Sequence, residues 1–195
     1  MGLAVDDVAR SLRGSWGLMT RGREALPELD LSREGFWRSF AAYVLMAPAT
    51  VAVLAAARLA AGLRNEAGLF GSAALDATVV LAQCGLILAL PLCMLALRPA
   101  LLRTPRFTSF VIAWNWAGIV SSGLMALPAG VFALGWSTPH LALAQASAFA
   151  VIVLRLRYCV ARAAFGADGR VALLLVAASV LADIAIIRLL VAALA

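Results

Sequence analysis

The chain has 195 residues, 64% of them hydrophobic and 13% charged, with a mean hydropathy of +0.98. An ordinary soluble domain carries about 25% charged residues, so too little polar surface exists here to coat a compact body in water. The same balance excludes a disordered chain and a nucleic-acid module, and the net charge of +6, made with arginine and no lysine, points to anionic lipid instead.

Residues 1–35 precede the first long apolar run and form a cytoplasmic N-terminal segment. Val5, Val8, Leu12, Trp16 and Met19 recur at helical spacing, while Asp6, Arg10, Arg13, Arg21 and Arg23 fall largely elsewhere around the wheel. The pattern predicts an amphipathic helix lying on the membrane surface, with Arg10, Arg13, Trp16, Arg21 and Arg23 toward the lipid headgroups and the aspartates at the positive helix end. A loosely ordered basic tail, favoured by Gly14 and Gly17, and a partner-binding helix are the alternatives. Asp6 and Asp7 stand where a signal peptide has a basic region, so the first span is expected to stay as an anchor.

Residues 36–195 form the membrane domain. A bilayer core about 30 Å thick takes roughly 20 apolar residues as a helix. Five runs meet that length, at Phe36 to Ala61, Ser72 to Leu97, Phe107 to Gly130, Thr138 to Ala161 and Val171 to Leu194. The expected fold is therefore all-α: a polytopic membrane bundle of five transmembrane helices preceded by an amphipathic interfacial helix. Arginines gather before the first span, between spans two and three (Arg98, Arg103, Arg106), and around the fourth connection (Arg155, Arg157, Arg162, Arg170). Arg58, Arg64 and His140 go to the opposite side. The bias predicts a cytoplasmic N-terminus and an outside C-terminus in a bacterial inner membrane, the bacterial source being inferred from the arginine-only, alanine- and leucine-rich composition.

Ionisable residues inside a membrane cost about 2.5 to 3.5 kcal/mol each on insertion scales, so each needs a reason. Depth along the helices matches Asp76 with Arg188 as an ion pair near the outer boundary. Gln83, Asn115 and Asp183 come out at similar depths, and Ser179 lies one turn before Asp183, which predicts a polar cluster of these four. Such a cluster serves either as interhelical glue or as a proton or solute site. Thr108, Asn115 and Ser122 form one stripe of span three that should face protein. Pro48, Pro91 and Pro128 free backbone carbonyls inside three spans, and Trp114 needs a partner for its indole N–H.

Cys84, Cys93 and Cys159 are widely spaced and predict small core residues, neither metal ligands nor disulfides. No HExxH, GxSxG, GxxxxGK[ST] or GxGxxG motif occurs, and Asp168, Gly169 and Arg170 read as a cytoplasmic turn. No enzyme, metal or cofactor is expected.

The five-span plan, the interfacial N-terminal segment and the entry stretch Leu31 to Phe40 resemble the Yip family of multi-span proteins, including its bacterial members. The resemblance covers roughly the whole chain and implies a membrane-organising or trafficking-related role. The family's DLYGP-like sequence is absent before span one, so no functional residue is carried over. Two functions follow. One is a non-catalytic scaffold or assembly factor whose partners are membrane lipids and other integral membrane proteins or itself. The other is a small transporter or permease subunit using Gln83, Asn115 and Asp183.

Overall fold

Residues 5–63, 72–97, 104–166 and 169–194 are described by the computed structural model, and every regular element among them is helical. Arg64, Arg98, Arg103 and Asp168, expected in connections, lie outside these residues. Helix α1 (Val5–Thr20) is followed by a 3-10 segment (Gly22–Glu28), α2 (Arg33–Ser39), α3 (Ala42–Leu45), α4 (Ala47–Leu63), α5 (Ser72–Leu97), α6 (Pro105–Ala133), α7 (Pro139–Phe165) and α8 (Gly169–Leu194). Helices are the solution an apolar chain requires in lipid, because each satisfies its own backbone.

The ends of the long helices are written locally. Thr104 and Thr138 each precede a proline in the first turn, and their hydroxyls accept from the N–H of Phe107 and Leu141. Gly166 ends α7 at φ 99°, where a side chain would be strained. Pro48 lies in the first turn of α4, just after the break at Met46 that separates α3 from α4.

Among the described residues, four helices are long and apolar enough to cross a membrane: Arg33–Leu63 with its breaks, Asp76–Ala96, Pro105–Ala133 and Gly169–Leu189. Four of the five expected spans, not five, are in this set. Helix α7 matches the others in length but carries Arg155, Arg157 and Arg162 toward its C-terminus, and it is not in this set.

Helix α6 packs on α4 and α7, α7 on α8, α8 on α5, and α5 on α4, so the helices close into a ring. Helix α7 runs antiparallel to α6: Phe165 meets Phe110 at one end, Arg157 sits over Trp114, and Ala142 and Leu143 share a wall with Ala129 and Phe132 at the other. The hydrophobic core is concentrated at the end where α6 begins and α7 finishes, around Phe110, Ile112, Leu156 and Val160, with Leu90 of α5 and Ala172 of α8.

Helix α1 and the 3-10 segment cap this end of the bundle. The buried face of α1 is Ser11, Gly14, Ser15, Gly17 and Leu18, not the apolar stripe. A Cβ on Gly14 would come 3.0 Å from the Glu28 Cβ, and one on Gly17 3.0 Å from the Ala25 Cβ. The glycines that weaken an isolated helix are thus the ones that let the 3-10 segment close on it. Val5 is 82% and Trp16 47% exposed, so part of the predicted stripe stays on the outside. Arg10 pairs with Asp7 at 2.7 Å and Arg21 with Glu28 at 2.5 Å.

The turn into α2 is tightly built. The Asp30 carboxylate accepts from the Ser32 N–H at 3.1 Å, and the Ser32 hydroxyl caps α2 by accepting from the Gly35 N–H at 3.0 Å. A Cβ on Gly35 would lie 1.9 Å from the Asp30 carbonyl oxygen. Gly35→Ala is expected to cost about 1.5 kcal/mol by forcing this turn open, seen as a lower unfolding midpoint and earlier proteolysis between α1 and α2.

The 3-10 segment also gives a pH dependence. The Arg21 guanidinium hydrogen-bonded to Glu28 holds that carboxyl below its ordinary value, and hydrogen bonds from Ser32 do the same for Asp30. Each carboxyl is more acidic in the folded segment, so its contribution is present above the ordinary carboxylate range and is lost as pH falls through the lowered value. Between about pH 6 and about pH 3, hydrogen exchange in α1, corrected for intrinsic rates, is expected to rise ahead of that in α6.

Candidate functional site

A chain of polar contacts crosses four helices inside the bundle. It begins at Pro91 of α5, which has no N–H to offer the carbonyl of Ile87 four residues earlier. The Trp114 indole N–H of α6 donates to that carbonyl at 2.9 Å. The Arg157 guanidinium of α7 lies over the Trp114 ring, 5.3 Å from its centroid. Arg157 in turn forms an ion pair with Asp183 of α8 and donates to the Ser179 hydroxyl at 3.2 Å, while Ser179 donates to the Val176 carbonyl at 2.8 Å. The side chains of Arg157 and Asp183 are only 16% and 20% exposed, so the pair is largely shielded, and one Asp183 oxygen, Oδ1, is buried without a partner among the described residues.

The predicted four-residue cluster does not assemble. Ser179 and Asp183 meet Arg157 of α7, a residue that lies near the end of the expected fourth span and is counted there with the arginines around the fourth connection. Helix α7 continues to Phe165, which puts Arg157 about 12 Å inside its end, and the long side chain reaches Asp183 from there. Asn115 faces another way. It is 1% exposed and donates to the Ser39 hydroxyl at 2.9 Å, and Ser39 donates to the Phe36 carbonyl at 2.7 Å, tying α2 to α6. The stripe of span three does face protein: Ser122 contacts Met46 through its hydroxyl, and Gly118 leaves room for Met46 and Ile87. Gln83 lines a cavity and has no hydrogen-bond partner among the described residues.

The predicted Asp76 and Arg188 pair is also corrected. Arg58 of α4 holds both Asp76 oxygens, with Nε at 2.9 Å from Oδ1, and Arg188 is exposed on α8. The sequence pattern counts Arg58 with the first connection although the expected span reaches Ala61, and α4 runs on to Leu63. On two packed helices joined by one connection, Arg58 and Asp76 each lie about 6 to 8 Å inside the far ends of their helices. Cys84 and Cys93 are exposed on α5, not buried in the core, and Cys159 is half-buried; all are free. Among the described residues no group of three or more His, Cys, Asp or Glu side chains could hold a metal ion.

Beside the polar chain lies a cavity of about 550 Å³ between α4, α5, α6 and α7. Trp114, Arg157 and Gln83 stand in its nearer half, toward the end that α1 caps. Its far half is apolar, walled by Val53 and Ala57 of α4, Met125 and Phe132 of α6, and Leu143 of α7. No family model, curated protein or solved structure matches the chain.

Proposed function

We propose that the chain is a non-catalytic multi-pass protein of a bacterial inner membrane, acting as a scaffold, assembly or membrane-organising factor through helix contacts with other integral membrane proteins or a second copy. The observation that carries this reading is the commitment of Asp183 to Arg157 and Ser179 within the α7 and α8 contact, away from the cavity wall. A carboxylate held in that way serves as glue between helices. The outer face of α8 is a further support, since Leu173, Leu174, Leu181, Ile184, Ile187 and Leu189 are exposed along it and offer lipid or a partner helix an apolar surface, broken by the exposed Arg188 toward its end. A role of this kind accords with the Yip-like plan.

The N-terminus is cytoplasmic in this reading and the C-terminus lies outside. In favour, α1 docks at the end where Arg106, Arg162 and Arg170 also lie, so arginines collect on one side of the bundle. Helix α7, antiparallel to α6 and of similar length, supplies the fifth crossing. On the same side α1 rests on the lipid surface, where Arg10, Arg13, Trp16 and Arg21 line a single groove and Arg23 is exposed beside it. Purification in gentle detergent is expected to recover a stoichiometric membrane partner or a homo-oligomer; a monomer across several detergents overturns the reading.

The cavity favours a second reading, a small transporter or permease subunit. Flux into proteoliposomes would then depend on pH and fall with Asp183→Asn. Wild-type rates equal to those of empty vesicles remove it.

A further inference from the structure

We infer that the cavity between α4, α5, α6 and α7 is a binding site for one uncharged, elongated molecule dissolved in the bilayer, an apolar chain carrying a single hydroxyl or carbonyl that the Gln83 amide receives. The inference rests on the bundle being embedded in lipid and is independent of whether the protein acts as a scaffold.

Volume and length come first. About 550 Å³ is ample for a single small molecule. The wall on α6 runs from Trp114 to Phe132, a rise of about 27 Å, so the occupant is long. Charge comes next. Among the described residues Arg157 is the only charged side chain in the wall, and Asp183 already neutralises it from the α8 side. An anionic headgroup would have to displace that carboxylate, and a cation would face the guanidinium, so the site favours an uncharged guest. Polarity then fixes the orientation. The Trp114 N–H is used by the Ile87 carbonyl and Ser122 by Met46, whereas the Gln83 amide and the nearby Ser121 hydroxyl, both in the nearer half, have no partner among the described residues, and of the two the amide reaches further and offers both a donor and an acceptor. Within an apolar wall, an amide left without a partner is the group that rewards a ligand hydroxyl or carbonyl.

The walls also leave a way in. The α5 residues lining the cavity are Gln83, Leu86 and Ile87, all in its nearer half, so the far half is walled by α4, α6 and α7. Among the described residues helices α4 and α7 flank α6 with at most slight contact between them. The apolar tail therefore extends toward the far end, where the wall is open to the side, and the polar group lies beside Gln83.

The test uses the full-length protein in mild detergent with oleyl alcohol, oleic acid and a phosphatidylglycerol as separate probes, read by native mass spectrometry. One oleyl alcohol per chain is expected, bound about 10-fold more tightly than the acid at neutral pH. Gln83→Leu is expected to weaken the alcohol about 5-fold through the lost hydrogen bond, and Ala57→Phe, which fills the cavity, to abolish the stoichiometric complex. Both variants should elute as the wild type does on size exclusion. Tighter binding of the acid or the phospholipid overturns the inference, as does alcohol binding indifferent to Ala57→Phe.

Discussion

Arg157→Met is expected to destabilise the bundle by about 3 kcal/mol, and Asp183→Leu by a similar amount, while the double variant should recover most of that loss. Each single change strands a charge that the fold has withdrawn from water. In Arg157→Met the Asp183 carboxylate keeps only its own helix for company, and its Oδ1 is already without a partner among the described residues. In Asp183→Leu the guanidinium retains Ser179 and the face of Trp114, neither of which carries a balancing charge. Removing both charges leaves apolar side chains where α7 meets α8, a contact that lipid-soluble helices make readily. Unfolding followed by circular dichroism in a denaturing detergent checks the order of the three variants. A double variant no more stable than the worse single one would show that the pair does not act as a unit.

Trp114→Phe is expected to cost about 2 kcal/mol, and most of this should vanish when Pro91 is replaced by alanine. The indole N–H is the partner for the Ile87 carbonyl that Pro91 leaves open, so a phenyl ring in its place exposes that oxygen to an apolar interior. Pro91→Ala restores an N–H at the right place in the α5 ladder, after which the indole is no longer required for that carbonyl. A double-mutant cycle on the unfolding midpoint should give a coupling of about 1.5 kcal/mol. Additive effects would mean that Trp114 acts through ring packing alone.

The helical character of the chain and most span limits are legible in the sequence because apolar run length is a strong signal. The expected limits Ser72 to Leu97 coincide with α5. The Thr-Pro pairs at Thr104 and Thr138 carry sharper information than hydropathy does, since each unites an N-cap with a proline whose missing N–H costs nothing there. The errors share one cause. Arg58 and Arg157 fall within the expected spans but are counted with the neighbouring connections when arginines are taken to mark the membrane edge, whereas each is held inside the bundle by a carboxylate on a neighbouring helix. Depth counting then pairs Asp76 and Asp183 with the residues that remain. The need of Trp114 for a partner and the carbonyl freed by Pro91 are both visible in the sequence. Their meeting is not, because it depends on the rotation of α5 against α6, which residue spacing does not fix. The cavity is equally hidden, being a property of how four helices fail to fill the space between them.

The seat of α1 is made largely from the start of α6 and the end of α7. A ribosome adding about 5 to 20 residues each second needs about 7 to 30 s to travel from Thr20 to Phe165, and during that time the N-terminal helix has the 3-10 segment against it but lacks the α7 part of its seat. Its docking face is mainly serine and glycine, which water solvates without inviting aggregation, and the Asp7 and Arg10 pair can form within the helix itself. Closure of the cap is therefore a late event in biogenesis, and truncation of the chain before α7 should leave α1 open to protease while the earlier helices are already inserted.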